Sequence, residues 1–256
     1  FYFHGSLLVG LCEEGPIPLG LGGYEVLIRT KGRPKGTHWR ETKADPNRES
    51  ERWLRVARQA EKPLASSGIR PVHVMDREGD NYDLMGPLVA DGSRFVIRLT
   101  HSRAVLDEVE GFEPRRGRPT ATFDEALATA SVRITREVPL SPRGRPTKRT
   151  RKQPLRDGRM ATLALKATRV TVRQPRDGTF KEPIALNIVE VAEVSAPDGE
   201  EPVHWRLATT ESVDSVADVE RVVDIYRARW LIEEFFKALK TGCGVEERQL
   251  ESQSSL

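Results

Sequence analysis

Apolar positions along the first part of the chain come in short runs that switch between strand-like and helix-like spacing. Leu7 to Leu11 and Tyr24 to Arg29 read as apolar strands, and the Gly- and Pro-rich stretch between them can turn the chain back. Lys31 to Asn47 is polar with Pro and Gly punctuation, which predicts a loop. From Glu49 to about Leu64, Trp53, Leu54, Val56 and Ala57 sit at helical spacing among Arg and Glu. Pro71 to Met75 is a short β-rich run ending in Asp76. A polar turn follows, then a helix-like stretch through Tyr82, Leu84, Met85, Leu88 and Val89. Arg94 to Leu99 is the next strand, with Phe95, Val96 and Ile97 at its centre.

The order strand, strand, helix, strand, helix, strand is that of a ribonuclease H-like α/β core whose first strand is missing. In that architecture the first strand is central and borders the strand that here ends at Asp76. From Ser102 to about His204 the character changes, with Gly, Pro and Arg dense at Gly111 to Pro119 and at Pro142 to Gly158. Two alternating runs, Ala161 to Val172 and Ile184 to Val194, predict strands of a second sheet, and Trp205 to Thr209 closes the region. Ser215 then opens a helix, with Asp218 in the place of a capping-box partner. That helical region runs to Lys240 with a kink near Arg227, and Gly242 is placed to end it. The expected organisation is core in 1–101, a β-rich basic insertion in 102–205, and the last core helix in 206–256.

Composition adds bounds. At 256 residues, 38% hydrophobic and 31% charged, the chain can bury a real core beneath a heavily charged surface. No apolar run approaches the ~20 residues needed to cross a bilayer, so no membrane role is expected. Cys12 and Cys243 stand far apart without ligand spacing, which favours a reducing, cytoplasmic setting over a disulfide framework. None of the five histidines shows zinc spacing. The chain starts at Phe1-Tyr2-Phe3-His4-Gly5 without Met and stops at Ser254-Ser255-Leu256, and both ends read as cut.

The chemistry concentrates on the last helix. At ~100° per residue, Tyr226, Arg229, Glu233, Lys237 and Lys240 fall within roughly 80° of one another. Ile225, Ala228, Leu231, Ile232, Phe235, Phe236 and Leu239 take the opposite arc, an ordinary core contact. On pattern alone the polar face is a solvated surface with Arg229–Glu233–Lys237 pairs at i, i+4. The alternative is a metal-ligating Glu among phosphate-binding cations, the mixture that phosphoryl transfer on DNA requires.

Tyr226-x-x-Arg229-x-x-x-Glu233-x-x-x-x-x-x-Lys240 resembles the Tyr-Arg-Glu-Lys motif of DDE transposases of the insertion-sequence-four family. Asp76-Arg77-Glu78-Gly79-Asp80 is similar to that family's block around its second catalytic aspartate, and Ser50-x-x-Trp53 and Arg94 to Arg98 extend the likeness. The resemblance implies a cut-and-paste transposase that cleaves transposon ends and joins them to target DNA, with Mg²⁺ or Mn²⁺ as cofactor. Asp76 and Glu233 match metal-binding catalytic carboxylates. Tyr226, Arg229, Lys237 and Lys240 match positions used on DNA phosphates, and Arg98 and Arg103 match basic positions after the neighbouring strand. Trp205 corresponds to an aromatic that stacks on a flipped base, or it is a core Trp of the closing strand. Trp230 reads as packing. The implied partners are double-stranded DNA, at transposon ends and target, and a second copy in a homodimeric synaptic complex. The implied location is the bacterial cytoplasm, at the nucleoid when DNA is bound.

Two further features bear on DNA. Arg143, Arg145, Lys148, Arg149, Arg151 and Lys152 form a Pro-interleaved cluster able to neutralise phosphates. Arg-Gly-Arg-Pro-Thr occurs at Arg116 to Thr120 and again at Arg143 to Thr147, which resembles the core of minor-groove AT-hook peptides. Glu78, Asp80 and Glu234 are the carboxylates set aside, the first two as caps or arginine partners. The family's first catalytic aspartate has no counterpart: Asp45, the one aspartate before Asp76, sits in a Pro-flanked loop. The expectation is therefore a fragment that neither cleaves nor joins DNA by itself, with a non-catalytic DNA-binding remnant as the alternative.

Overall fold

The computed structural model describes residues 2–27, 49–142 and 157–244. It opens on a hairpin in which β1 (Tyr2–Cys12) and β2 (Gly15–Leu27) pair antiparallel. Both strands outrun the predicted apolar runs, because backbone pairing continues through polar and glycine positions that carry no hydrophobic signal. Helix α1 (Glu49–Ala65) lies across the hairpin. The approach is close enough that a Cβ on Gly23 would come 2.9 Å from the Val56 carbonyl oxygen, so only glycine fits. Arg55 ties the two together through a 2.6 Å ion pair with Glu25.

The remaining strands form one six-stranded sheet. They are β3 (Val72–Met75), β4 (Arg94–Arg98), β5 (Val132–Leu140), β6 (Arg159–Val172), β7 (Ile184–Glu193) and β8 (His204–Thr209), in the spatial order β3-β4-β8-β7-β6-β5. Only β3 and β4 are parallel, joined by the crossover helix α2 (Tyr82–Ala90), and every other pairing is antiparallel. The result is a mixed α/β fold consistent with a ribonuclease H-like core. Among the described residues β3 is an edge strand, and the β1–β2 hairpin is a separate two-stranded sheet.

The expectation of a second sheet in the β-rich stretch is corrected here. β8 pairs with β4 on one side and β7 on the other, so β5 to β7 extend the core sheet. Alternation fixes which face a side chain takes and says nothing about which strand lies beside it. Two more elements were not foreseen: helix α3 (Phe123–Thr129) and β5.

Both faces of the sheet are covered. Phe95, Ile97, Ile188 and Ala208 pack towards α1, α2 and α3, with Leu54, Leu84, Met85, Leu88, Phe123 and Leu127. Their sequence neighbours Val96, Val189 and Leu207 point the other way, into a second cluster with Val219, Val222, Val223, Ile225 and Tyr226 of helix α4 (Val216–Ala228). The predicted cap of α4 is present: Ser215 N donates to Asp218 Oδ2 at 3.0 Å and Asp218 N to Ser215 Oγ at 3.1 Å.

After α4 the helix breaks. Arg229 N, Trp230 N, Ile232 N and Glu233 N each donate to the carbonyl three residues back, at 3.1, 3.2, 3.1 and 3.0 Å, and α5 (Leu231–Lys237) starts within this tightened turn. The kink thus falls at Arg229–Trp230, later than Arg227. A π-type turn over Ala238–Gly242 follows, and the positive φ of the terminus lies on Gly244 (59°) instead of Gly242. The apolar arc is also corrected: Ile225 is buried, but none of the residues of α5 is. Phe236 meets the hairpin instead, edge-on to Phe3 at 6.2 Å.

Candidate active site

Asp76 directly follows β3, and because β3 and β4 run parallel with Met75 opposite Ile97, it lies beside Arg98 at the carboxyl ends of both strands. That is the end at which α/β sheets present ligands. Asp76 is half-buried, and its Oδ1 accepts from Glu78 N at 2.9 Å, which fixes the carboxylate over a single 3₁₀ turn, Arg77–Gly79.

From Arg98 a chain of contacts runs across this edge. The Arg98 guanidinium lies 6.0 Å from the centre of the Trp205 ring, and its Nη2 donates to His204 O at 3.3 Å. Trp205 is half-buried and meets the buried Tyr226 edge-on, 5.5 Å between ring centres. Arg229 stands 6.0 Å from the Tyr226 ring and donates through Nη2 to Glu233 Oε1 at 2.7 Å. Burial lowers the affinity of Arg229 for its proton, but the Glu233 hydrogen bond, then the charges of Tyr226 and Glu233 and last that of Asp76, outweigh it and hold Arg229 above its usual range. The structure brings together Asp76, Arg98, Trp205, Tyr226, Arg229 and Glu233.

The other sequence candidates fall elsewhere. Lys237 is exposed and pairs loosely with Glu234 at 3.8 Å, so the expected Glu233–Lys237 pair is replaced by an i, i+3 contact. Lys240 is exposed in the π-type turn. Arg103 is engaged with Asp80: its Nη1 bonds the carboxylate and its Nη2 donates to Asp80 O at 3.0 Å. Asp80 is also held by Thr100 N, Thr100 Oγ1 and His101 N at 2.6, 2.8 and 2.9 Å. Burial pushes its carboxyl up, but the Arg103 charge and these donors more than compensate and leave it below the usual carboxylate range. Asp80 is therefore an arginine partner; the cap of α2 is Asn81, which accepts from Asp83 N at 2.9 Å. Trp230 is 57% exposed, against its reading as packing.

The first Arg-Gly-Arg-Pro-Thr copy is folded as a tight turn, with Arg115 and Arg118 exchanging backbone bonds of 3.1 and 2.9 Å. Arg118 bonds Glu125 and lies 5.4 Å from the Phe112 ring, so it is not an extended groove-binding peptide here. Arg143, Arg145, Lys148, Arg149, Arg151, Lys152 and Asp45 lie outside the described residues.

Could Asp76 and Glu233 hold a divalent metal? Their carboxylate oxygens are the donors a hard cation takes. At Glu233 the Arg229 guanidinium already serves as the positive partner, through Oε1. Each of the two supplies the donor chemistry for such an ion. Among the described residues, no three His, Cys, Asp or Glu side chains form a metal-ligating cluster. A cavity of ≈ 460 Å³ lined by Arg70, Arg94, Glu211 and Arg221 lies at the opposite end of β4 and takes no part in this edge.

Among the described residues no helix is long and apolar enough to cross a membrane. A family model described as the transposase DDE domain matches residues 47–256, from just before α1 to the end of the chain. That span contains β3 with Asp76 and α4–α5 with Glu233, and the chain belongs to the transposase DDE domain family.

Proposed function

We propose that this chain is the core of a cut-and-paste DNA transposase of the insertion-sequence-four type, working on transposon ends and target DNA in the bacterial cytoplasm. The observation that carries the reading is the meeting of the Tyr226–Arg229–Glu233 helix with Asp76 at the carboxyl edge of β3. Asp76 and Glu233 would hold Mg²⁺ or Mn²⁺, which when bound would supply Lewis-acid stabilisation for phosphoryl transfer. Arg229, Lys237, Lys240 and Arg98 fix the phosphate backbone by charge. Trp205, braced by Tyr226, offers a ring face to an extruded base. Arg103 is the weakest of the DNA candidates, since its guanidinium serves Asp80. The strands β5 to β7 are the inserted part, grown onto the core sheet, and the working assembly is a homodimer on DNA.

Asp76 and Glu233 match two of the three carboxylates that the family resemblance implies, and on that ground we infer that the 256-residue polypeptide by itself is inactive. The test is a nicking assay with a transposon-end duplex and Mg²⁺. No product is expected; nicking abolished by Asp76→Ala would overturn the inactivity. A remnant that binds DNA without metal is the second reading, favoured by the same missing ligand. It requires Asp76→Asn and Glu233→Gln to leave Mn²⁺ binding untouched, whereas the catalytic-core reading requires both to weaken it.

A further inference from the structure

We propose that Arg229 is an internal counter-ion that holds Glu233 until a DNA phosphate draws it away, so that metal and DNA binding at this edge are coupled. The inference rests on the metal-pair reading above and adds its regulation.

Arg229 donates to Glu233 Oε1 at 2.7 Å, and its side chain is only 21% exposed. It is therefore a desolvated charge with a fixed address, unlike Lys237 at 70% exposure. A divalent ion arriving at Glu233 Oε2, which has no hydrogen-bond partner among the described residues, meets the guanidinium charge across a single carboxylate. A metal and Arg229 thus compete for the Glu233 carboxylate.

DNA changes the balance. A phosphodiester gives the guanidinium an anion with two oxygens in fork geometry, a stronger partner than one carboxylate oxygen. The guanidinium carbon lies 6.0 Å from the Tyr226 ring centre, a neutral face over which the head can turn from carboxylate to phosphate. Arg229 sits at the tightened turn between α4 and α5 beside the 47% exposed Glu233, and the 21% of its own side chain left to solvent is where a phosphate would approach. Once Arg229 is on phosphate, the Glu233 carboxylate is released from its counter-ion and would be open to a metal. By linkage, DNA tightens metal binding by the factor by which metal tightens DNA binding. The polypeptide alone is thereby kept from a loaded metal site until its substrate is in place.

The probe is Mn²⁺, followed by electron paramagnetic resonance on the full chain with and without a short DNA duplex. In the unsubstituted protein DNA should tighten Mn²⁺ about tenfold, within the usual range for coupled sites. In Arg229→Gln the DNA-free affinity should rise to about the DNA-bound level and the coupling should vanish. Arg229→Lys, which keeps a charge on a shorter reach, should retain part of the coupling and guards against a fold defect in the first variant. Unchanged DNA-free Mn²⁺ binding in Arg229→Gln, or coupling that survives in it, overturns the proposal. If Glu233→Gln and Asp76→Asn leave Mn²⁺ binding unaltered, it is the metal-pair reading that fails.

Discussion

Replacing Arg103 by Met should destabilise the fold strongly while leaving the charge response of DNA binding intact. Asp80 has 1% side-chain exposure and Arg103 16%, so the pair is shielded from water on both sides. Removing one member of a buried pair costs about 3–5 kcal/mol, because the other charge is left without compensation. Three neutral donors stay on Asp80, at 2.6, 2.8 and 2.9 Å, which argues for the lower end of that range. About 3 kcal/mol corresponds to a fall in Tm of roughly 6–12 °C for a chain of this size.

The pH dependence supplies the stricter check. The folded carboxyl of Asp80 lies below its ordinary value, so its contribution is complete above the unfolded pKa of about 3.9 and is lost as pH falls through the lower folded value. Urea unfolding of both proteins should therefore show a gap that is constant from pH 7 to pH 5 and shrinks below about pH 4, where protonation removes the pair in each. A gap under about 1 kcal/mol at pH 7, the size of an exposed ion pair, would refute the argument. So would a gap that persists unchanged through the acid range. Were Arg103 a phosphate contact, the slope of log affinity against log salt would fall by about 0.9 in the variant; no change is expected.

Other outcomes follow from the same geometry. Lys237→Ala and Lys240→Ala should each shift stability by less than about 0.5 kcal/mol, since both side chains are exposed, yet each should lower the salt slope of DNA binding by about 0.9. Gly86→Ala gains up to ~1 kcal/mol of helix propensity, but its methyl group would overlap the Phe180 ring; net destabilisation of about 1–2 kcal/mol in urea is expected. A double-mutant cycle over Trp205→Ala and Tyr226→Ala should give a coupling of about 0.5–1.5 kcal/mol for their edge-on contact, and zero coupling would mean that Tyr226 does not brace Trp205.

What the sequence carried, it carried locally. The Ser215–Asp218 cap, the strand leading to Asp76 and the helix over Glu49–Ala65 depend on spacing within a few turns, and the fold has each of them. The seven-residue α3 offers too few positions for a periodic signal, although Thr122 and Glu125 held a readable cue: Thr122 N donates to Glu125 Oε2 at 2.8 Å. β5 is an edge strand with most of its side chains exposed, and charged residues at Arg133, Arg136 and Glu137 hide its pattern. The single sheet was illegible for a different reason. Val96 and Leu207 share one core while Ile97 and Ala208 share the other, a match between strands over a hundred residues apart that no local window contains. The site depends on the same long-range pairing. Trp205 reaches Arg98 and Tyr226 only because β8 lies between β4 and β7, and Arg229 reaches Glu233 across a turn with neither Pro nor Gly to announce it. A helical wheel set Tyr226, Arg229 and Glu233 on one solvent face, whereas the break buries Tyr226 against the sheet and leaves Glu233 outside. The helical wheel thus placed the three residues together, while their division into a buried Tyr226, a half-buried Arg229 and an exposed Glu233 is a property of the fold.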